Sequence, residues 1–243
     1  MQVIYGINPL KEALKIEPPI VKKIFFSRQP DKEVALIEQM AASQGVPVEH
    51  KEKTYLKNVL RDETHQGVAG ICRDFNYTAF DKLINSATAS SGRVVLLLLD
   101  EISDPQNLGA IIRTAHCCGI NGIIIPEKRA CPVTPAVMKA SVGAVFFTPV
   151  ARVTNLAKTI DALKEDGFWV YGSNAETGTD IRQISFGDKI ALVVGSEGKG
   201  MRELVTKKCD FMLSIPMVGK IDSLNVAVAT SIAIYEIQRC FLA

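Results

Sequence analysis

The sequence predicts an α/β protein of two domains, and three observations carry that prediction. Val94–Leu99 is an unbroken apolar run of the kind a strand buried on both faces requires. Downstream of it, short apolar segments alternate with capped, amphipathic ones, the pattern of a parallel sheet covered by helices. Between two patterned regions lies a small, polar stretch that includes Asn85-Ser-Ala-Thr-Ala-Ser-Ser-Gly92. These place a smaller α/β domain at residues 1–78, a linker at 79–92 and a larger domain at 93–243.

In the first domain Asn8–Lys15 reads as a helix and Lys23–Phe26 as a strand. An amphipathic helix over Asp31–Gln44 is closed by Gly45, followed by a strand at Val46–Val48, a helical Thr54–Leu60 and a strand at Gly67–Cys72. In the second, the Val94–Asp100 strand is followed by a helix that Pro105 opens and Gly119 closes. Gly122–Pro126 is a strand, Thr134-Pro135 opens a helix to Val142, and Val145–Val150 is expected as the next strand. A helix at Asn155–Asp166 ends at Gly167, strands fall at Phe168–Gly172, Ile190–Val194 and Met212–Ile215, and a long helix runs from Ser223 to Cys240.

Composition narrows the function classes. At 47% hydrophobic and 22% charged the 243 residues are globular, which excludes disordered and fibrous chains. The longest apolar run falls far short of the roughly 18 residues that suggest a membrane span, and Met1–Gly6 shows no basic-then-apolar export signal. A cytoplasmic protein without a membrane partner is expected. Its six cysteines include no CxxC pair and stand near no histidine cluster, so they read as reduced core residues, and no metal is expected. The net charge of +2 leaves any nucleic-acid contact to a local basic patch, for which Lys22, Lys23, Arg28 and Arg73 are the candidates.

Ligands of open parallel sheets sit beyond the carboxyl ends of strands, and three stretches there are unusual. Asn107-Leu-Gly-Ala-Ile-Ile-Arg113 sets an arginine among Ile111, Ile112 and Ala115; taken singly, such a residue is commonly structural or snorkels to the surface. Gly195-Ser-Glu197-Gly198-Lys-Gly200 brings backbone amides to a turn after a buried strand. Its spacing is neither GxxxxGK[ST] nor GxGxxG and Glu197 would repel a phosphate, so nucleotide triphosphatases and dinucleotide enzymes are not supported. The third, Ile215-Pro216-Met217-Val-Gly219 continuing to Ser223-Leu224-Asn225-Val226, ends in a helix for which Ser223 is a suitable N-cap. Capping does not account for Asn225, a polar group entering an apolar face that needs a partner if buried.

Together, in order and spacing, the three stretches resemble the three motifs of the SpoU/TrmH branch of the SPOUT RNA methyltransferases. Tyr5-Gly6-Ile-Asn-Pro-Leu10 and Thr64-His65-Gln66-Gly67-Val68 resemble the L30e-like substrate-binding domain of RlmB-type 23S rRNA guanosine 2′-O-methyltransferases. The resemblance implies a trefoil-knotted α/β carboxyl domain and a homodimer whose chains share each active site. It implies S-adenosylmethionine held around Gly195, Ile215 and Leu224, and catalytic or orienting roles for Asn107, Arg113, Glu197, Ser223 and Asn225. His65 and Gln66 become the candidates for contact with 23S rRNA, and His116, Cys117 and Cys118 are assigned to helix packing or the dimer face. A tRNA or antibiotic-resistance rRNA 2′-O-methyltransferase is the alternative within the superfamily, and a non-catalytic RNA-binding ribosome-assembly factor the alternative outside it. Methyl transfer to a ribose hydroxyl needs alignment and proton loss but no metal. The family view makes Arg113 the activating group. Deprotonating a guanidinium near neutral pH costs on the order of 7 kcal/mol, which favours Arg113 as an electrostatic positioner of ribose and phosphate.

Overall fold

The structure is a computed structural model of residues 1–243 that describes all but 61–64, 90–91, 175–177, 222 and 243. Thr64 and the Ser90-Ser91 part of the expected linker therefore lie outside the described residues. Two compact units make up the chain: Met1–Asn76 with Val133–Phe147, and Tyr77–Pro132 with Thr148–Ala243.

The first unit begins with β1 (Gln2–Tyr5), α1 (Ile7–Ala13), β2 (Val21–Phe26), α2 (Lys32–Ser43), β3 (Val48–His50), α3 (Tyr55–Leu60) and β4 (Val68–Cys72). Its sheet runs β1-β4-β2-β3, with β4 antiparallel to both neighbours and β3 parallel to β2. Asp31 caps α2 by accepting from Val34 N at 2.9 Å, and Val34, Ile37 and Ala41 form its buried stripe. That stripe joins Ile4, Leu10, Ile24, Phe26 and Val68 in one core.

The chain then enters the second unit with α4 (Phe80–Thr88), β5 (Val94–Asp100), α5 (Pro105–Cys117) and β6 (Gly122–Pro126). It returns to the first with α6 (Pro135–Ala140) and a 3₁₀ turn at Ala144–Phe146. The second unit resumes with β7 (Val150–Val153), α7 (Leu156–Glu165), β8 (Trp169–Ser173), β9 (Thr179–Asp180), β10 (Lys189–Gly195), α8 (Glu203–Thr206), β11 (Phe211–Ser214) and α9 (Val226–Leu242). Its seven strands lie in the order β7-β6-β5-β10-β8-β11-β9, and every pairing is parallel. All of β5 is buried, as its unbroken apolar run demands. In register, Gly195 at the end of β10 stands opposite Asp100 at the end of β5, so the loops that leave these two central strands start side by side.

Several expectations are corrected. The 79–92 linker contains α4, a helix whose Leu83, Ile84 and Ala87 are buried behind polar neighbours that gave the stretch its loop-like composition. Val145–Val150 is not a strand. Its first residues form the 3₁₀ turn entered through Gly143 at φ 87, where a Cβ would meet the Glu12 side chain at 2.6 Å, and the strand begins only at Val150. The last helix starts at Val226 rather than Ser223 because Asn225 caps it: its Oδ1 accepts from Ala227 N at 2.9 Å and Val228 N at 3.3 Å. Cys117, expected in the core or, with His116 and Cys118, in helix packing or at the dimer face, is exposed and so is not a core residue of the single chain. Among the described residues no helix is long and apolar enough to cross a membrane, and no group of three or more His, Cys, Asp or Glu could hold a metal ion.

Candidate active site

The loop after β10 is closed on itself by reciprocal backbone bonds, Ser196 N to Gly200 O at 3.0 Å and Gly200 N to Ser196 O at 2.9 Å. A Cβ at Gly195 would stand 2.1 Å from the Gly200 carbonyl carbon, so only glycine permits this closure. The tight loop presents Glu197, whose Oε1 accepts from Asn225 Nδ2 at 2.6 Å, Asn107 Nδ2 at 3.1 Å and Val226 N at 3.2 Å. Asn225 Nδ2 also donates to Asn107 Oδ1 at 3.0 Å. Residues of three distant stretches thus meet at one carboxylate oxygen. That oxygen sits at the amino end of α9, where the helix dipole favours negative charge.

Around this cluster lie two cavities. One, of about 490 Å³, is lined by Gly195, Glu197, Ile215, Ser223 and Leu224 among others. All three residues expected to hold the cofactor therefore share one cavity. The second, of about 740 Å³, is lined by Glu101, Asp104, Asn107 and Arg129 and shares Ser196, Glu197, Lys199 and Val226 with the first. The Asn107–Glu197 bond forms part of the wall between them.

Behind the cluster, sequence reasoning missed an ion pair. Asp100 is completely buried; its Oδ2 accepts from Arg202 N at 2.8 Å, and its Oδ1 from Arg202 Nε at 2.8 Å. This bond to Asp100 raises the Arg202 guanidinium above its ordinary pKa, against the opposing effect of burial. The pair ties the end of β5 to the residue that precedes α8, just beyond the Gly195–Met201 loop. An acidic residue ending the run Val94–Leu99 was a visible signal, but its partner lies 102 positions away. Glu101 and Arg129, both at positive φ and both lining the second cavity, lie outside the three sequence motifs.

Other expected residues lie outside the cluster. Arg113 is exposed on α5, lines neither cavity, and makes no hydrogen bond or ion pair with a described residue. Ser223 lines the first cavity without a hydrogen bond to a described residue. In the first unit His65 is buried, its Nδ1 accepting from Gly67 N at 2.8 Å, so the ring supports the turn before β4. Gln66 is exposed at φ 57; its Oε1 accepts from Ile7 N at 3.1 Å and its carbonyl from Arg28 Nη1 at 3.2 Å. In the expected basic patch Arg28 pairs with Asp31 and Lys23 with Glu49. Thr114 Oγ1, next to Arg113, lies 3.0 Å from Ser231 Oγ and links α5 to α9.

The sequence model of the SpoU rRNA Methylase family matches residues 94–235, and that for RNA 2′-O ribose methyltransferase substrate binding matches residues 3–78. A protein of Staphylococcus aureus (strain COL), named a candidate TrmH family tRNA/rRNA methyltransferase, is 42% identical over 98% of this chain and 95% of its own length. An rRNA methyltransferase from Sinorhizobium meliloti, solved with AdoMet bound, superimposes with a TM-score of 0.81 at 27% identity, covering 100% of this chain and 88% of that one. The SpoU methyltransferase AviRb from Streptomyces viridochromogenes in complex with AdoMet gives the same TM-score at 22% identity, covering 99% and 90%, and so shares the fold.

Proposed function

Because the chain belongs to the SpoU rRNA Methylase family, we propose that it transfers a methyl group from S-adenosylmethionine to the ribose 2′-hydroxyl of a guanosine in 23S rRNA, as a cytoplasmic homodimer. The observation that carries this reading is the meeting of Asn107, Glu197 and Asn225 at the wall of the cavity that Gly195, Ile215 and Leu224 line. Its volume of about 490 Å³ falls within the ~300–1,000 Å³ of small-ligand sites, and its rim of glycines and apolar side chains offers backbone groups and apolar surface to an adenosine. The residues present fit the cofactor. When bound, it supplies an electrophilic methyl group to an in-line displacement by the ribose oxygen.

The chain's own residues do the rest. Glu197 and Asn225 hold the start of α9 against the loop after β10, fixing the cavity walls before substrate arrives. Asn107 lines the second cavity and is tied to that wall through its bond to Glu197. Arg113 stands exposed beside α9, whose Val228, Ile232 and Tyr235 form an exposed apolar stripe. A second copy seated on that stripe buries it and brings Arg113 to a shared site, where its planar fork grips ribose and phosphate. In the first unit Gln66 and the Arg28 beside it supply the RNA contact, with His65 holding their turn.

The match of a substrate-binding model over residues 3–78 supports an RNA substrate, and the rRNA methyltransferase of Sinorhizobium meliloti supports rRNA. A tRNA substrate is the second reading, since the Staphylococcus aureus relative's name covers both RNAs. Mapping ribose methylations in 23S rRNA and tRNA from cells with and without the protein tests the choice. Loss of one 23S guanosine methylation supports the proposal, and loss of a tRNA methylation alone overturns it.

A further inference from the structure

The larger cavity, at the carboxyl end of β5, has about 740 Å³, room for a nucleoside, and shares Glu197 with the cofactor cavity. Three carboxylates line it, and two are committed to the fold. Asp104 caps α5 through Gln106 N at 2.6 Å, and Glu197 anchors Asn107, Asn225 and α9. Glu101 differs. Its contacts are two arginine side chains, Arg129 at 3.5 Å and Arg202 at 3.6 Å, both at Oε1, and among the described residues no hydrogen bond reaches Oε2. The Arg129 side chain is 75% exposed and so is free to turn toward a ligand.

Resting on the guanosine reading above, we propose that Glu101 selects the target base, its carboxylate accepting from N1–H and the N2 amino group of an unstacked guanine while Arg129 donates to O6. Guanine alone among the four bases sets two donors side by side on its Watson–Crick edge. Adenine and cytosine set a donor beside an acceptor, and uracil sets one donor between two acceptors. An ionised carboxylate accepts at both oxygens and donates at neither, so it matches guanine and leaves the acceptors of the other bases unpaired. RNA sequence is commonly read in this way, on bases splayed out of the stack. Because the cavity adjoins the Asn107–Glu197 wall, a base held there keeps its ribose beside the methyl-transfer cavity.

The test uses the full-length protein, S-adenosylmethionine and a 23S rRNA fragment whose mapped target guanosine is replaced by inosine, which keeps N1–H and O6 but lacks the N2 amino group. The unaltered protein should prefer guanosine over inosine by about 10-fold or more in kcat/KM, the effect of removing a hydrogen bond to a charged acceptor. Glu101→Ala should lose this preference while binding S-adenosylmethionine normally in a calorimetric titration. That titration also reports folding, and if Glu101→Ala fails it, Glu101→Gln, which keeps the shape but presents only one acceptor oxygen, carries the comparison with a reduced preference expected. An unaltered enzyme indifferent to inosine, or a variant that keeps the full preference, overturns the assignment and leaves the guanosine reading standing. A mapped target other than guanosine overturns that reading and this inference with it.

Discussion

Asn107 and Arg113 share one helix and meet opposite fates. Asn107 both donates and accepts within the cluster of Glu197 and Asn225, whereas Arg113 faces solvent without a partner among the described residues. The same split divides Asn225 from Ser223 at the start of α9. A polar group that already has partners in the single chain contributes to the fold, and truncating it leaves those partners unsatisfied. A group without partners adds no hydrogen bond to the fold, and under the proposed function it comes into use when substrate or a second chain arrives. Truncating tied residues should therefore lower stability, and truncating untied ones should lower rate alone.

The largest effect is expected at the untied extreme. Arg113→Ala should lower the methyl-transfer rate by about 10²- to 10³-fold, the usual consequence of removing one transition-state donor. Its melting temperature and S-adenosylmethionine affinity should stay unchanged. Arg113→Lys should not rescue the rate, because a point charge lacks the planar fork. A fall in melting temperature for Arg113→Ala would erase the distinction.

At the tied extreme stands Asp100. Both of its oxygens accept from Arg202, so Asp100→Asn must turn an amide donor toward a donor in a fully buried position. Breaking a buried pair costs about 3–5 kcal/mol, and since the Arg202 side chain is 39% exposed we expect about 2–3 kcal/mol, read as a shift in the urea midpoint. Because the pair backs the Gly195–Met201 loop, cofactor affinity should fall as well. Stability equal to the parent protein would show that Arg202 simply turns to water.

How much of this was legible depended on the distance over which each signal acts. The buried strand β5 and the helices α5 and α7 were visible because apolar runs, Pro105 and the Asn155 cap are local. Helix α4 was hidden because its polar residues Asp81, Lys82, Asn85, Ser86 and Thr88 outnumber the buried Leu83, Ile84 and Ala87. The edge strands β1 and β9 are short, and only their partners identify them. In the site, the order and spacing of three motifs pointed to Asn107, Glu197 and Asn225, which the fold then joined. The Asp100–Arg202 pair could not be read from one sequence, since nothing local at Asp100 names an arginine 102 positions later. The burial of His65, a candidate for RNA contact, had no local sign, because a histidine in a turn does not show which way its ring faces.

A smaller effect sharpens the comparison at the start of α9. Asn225→Ala removes the cap that Ala227 N and Val228 N rely on and should destabilise the protein by about 1 kcal/mol. It also strips two donated bonds, to Glu197 and Asn107, so turnover should fall with it. Asn225→Asp keeps the cap but places a second carboxylate against Glu197. It should recover stability less than capping alone would, and recover no activity.

The smallest effect on stability is expected at Ser223. Its sequence context suggests an N-cap, yet the helix starts after Asn225 and the Ser223 hydroxyl has no hydrogen bond to a described residue. Ser223→Ala should therefore change stability by less than about 0.5 kcal/mol, within the range of a surface substitution, where loss of a true cap costs about twice that or more. Since Ser223 lines the cavity proposed to hold the cofactor, any loss should appear in turnover or cofactor affinity instead. Measuring the urea midpoints of Ser223→Ala and Asn225→Ala side by side decides which residue caps α9. A larger loss at Ser223 would return the cap to the place that local sequence suggested and would merge the two classes of residue at this helix start.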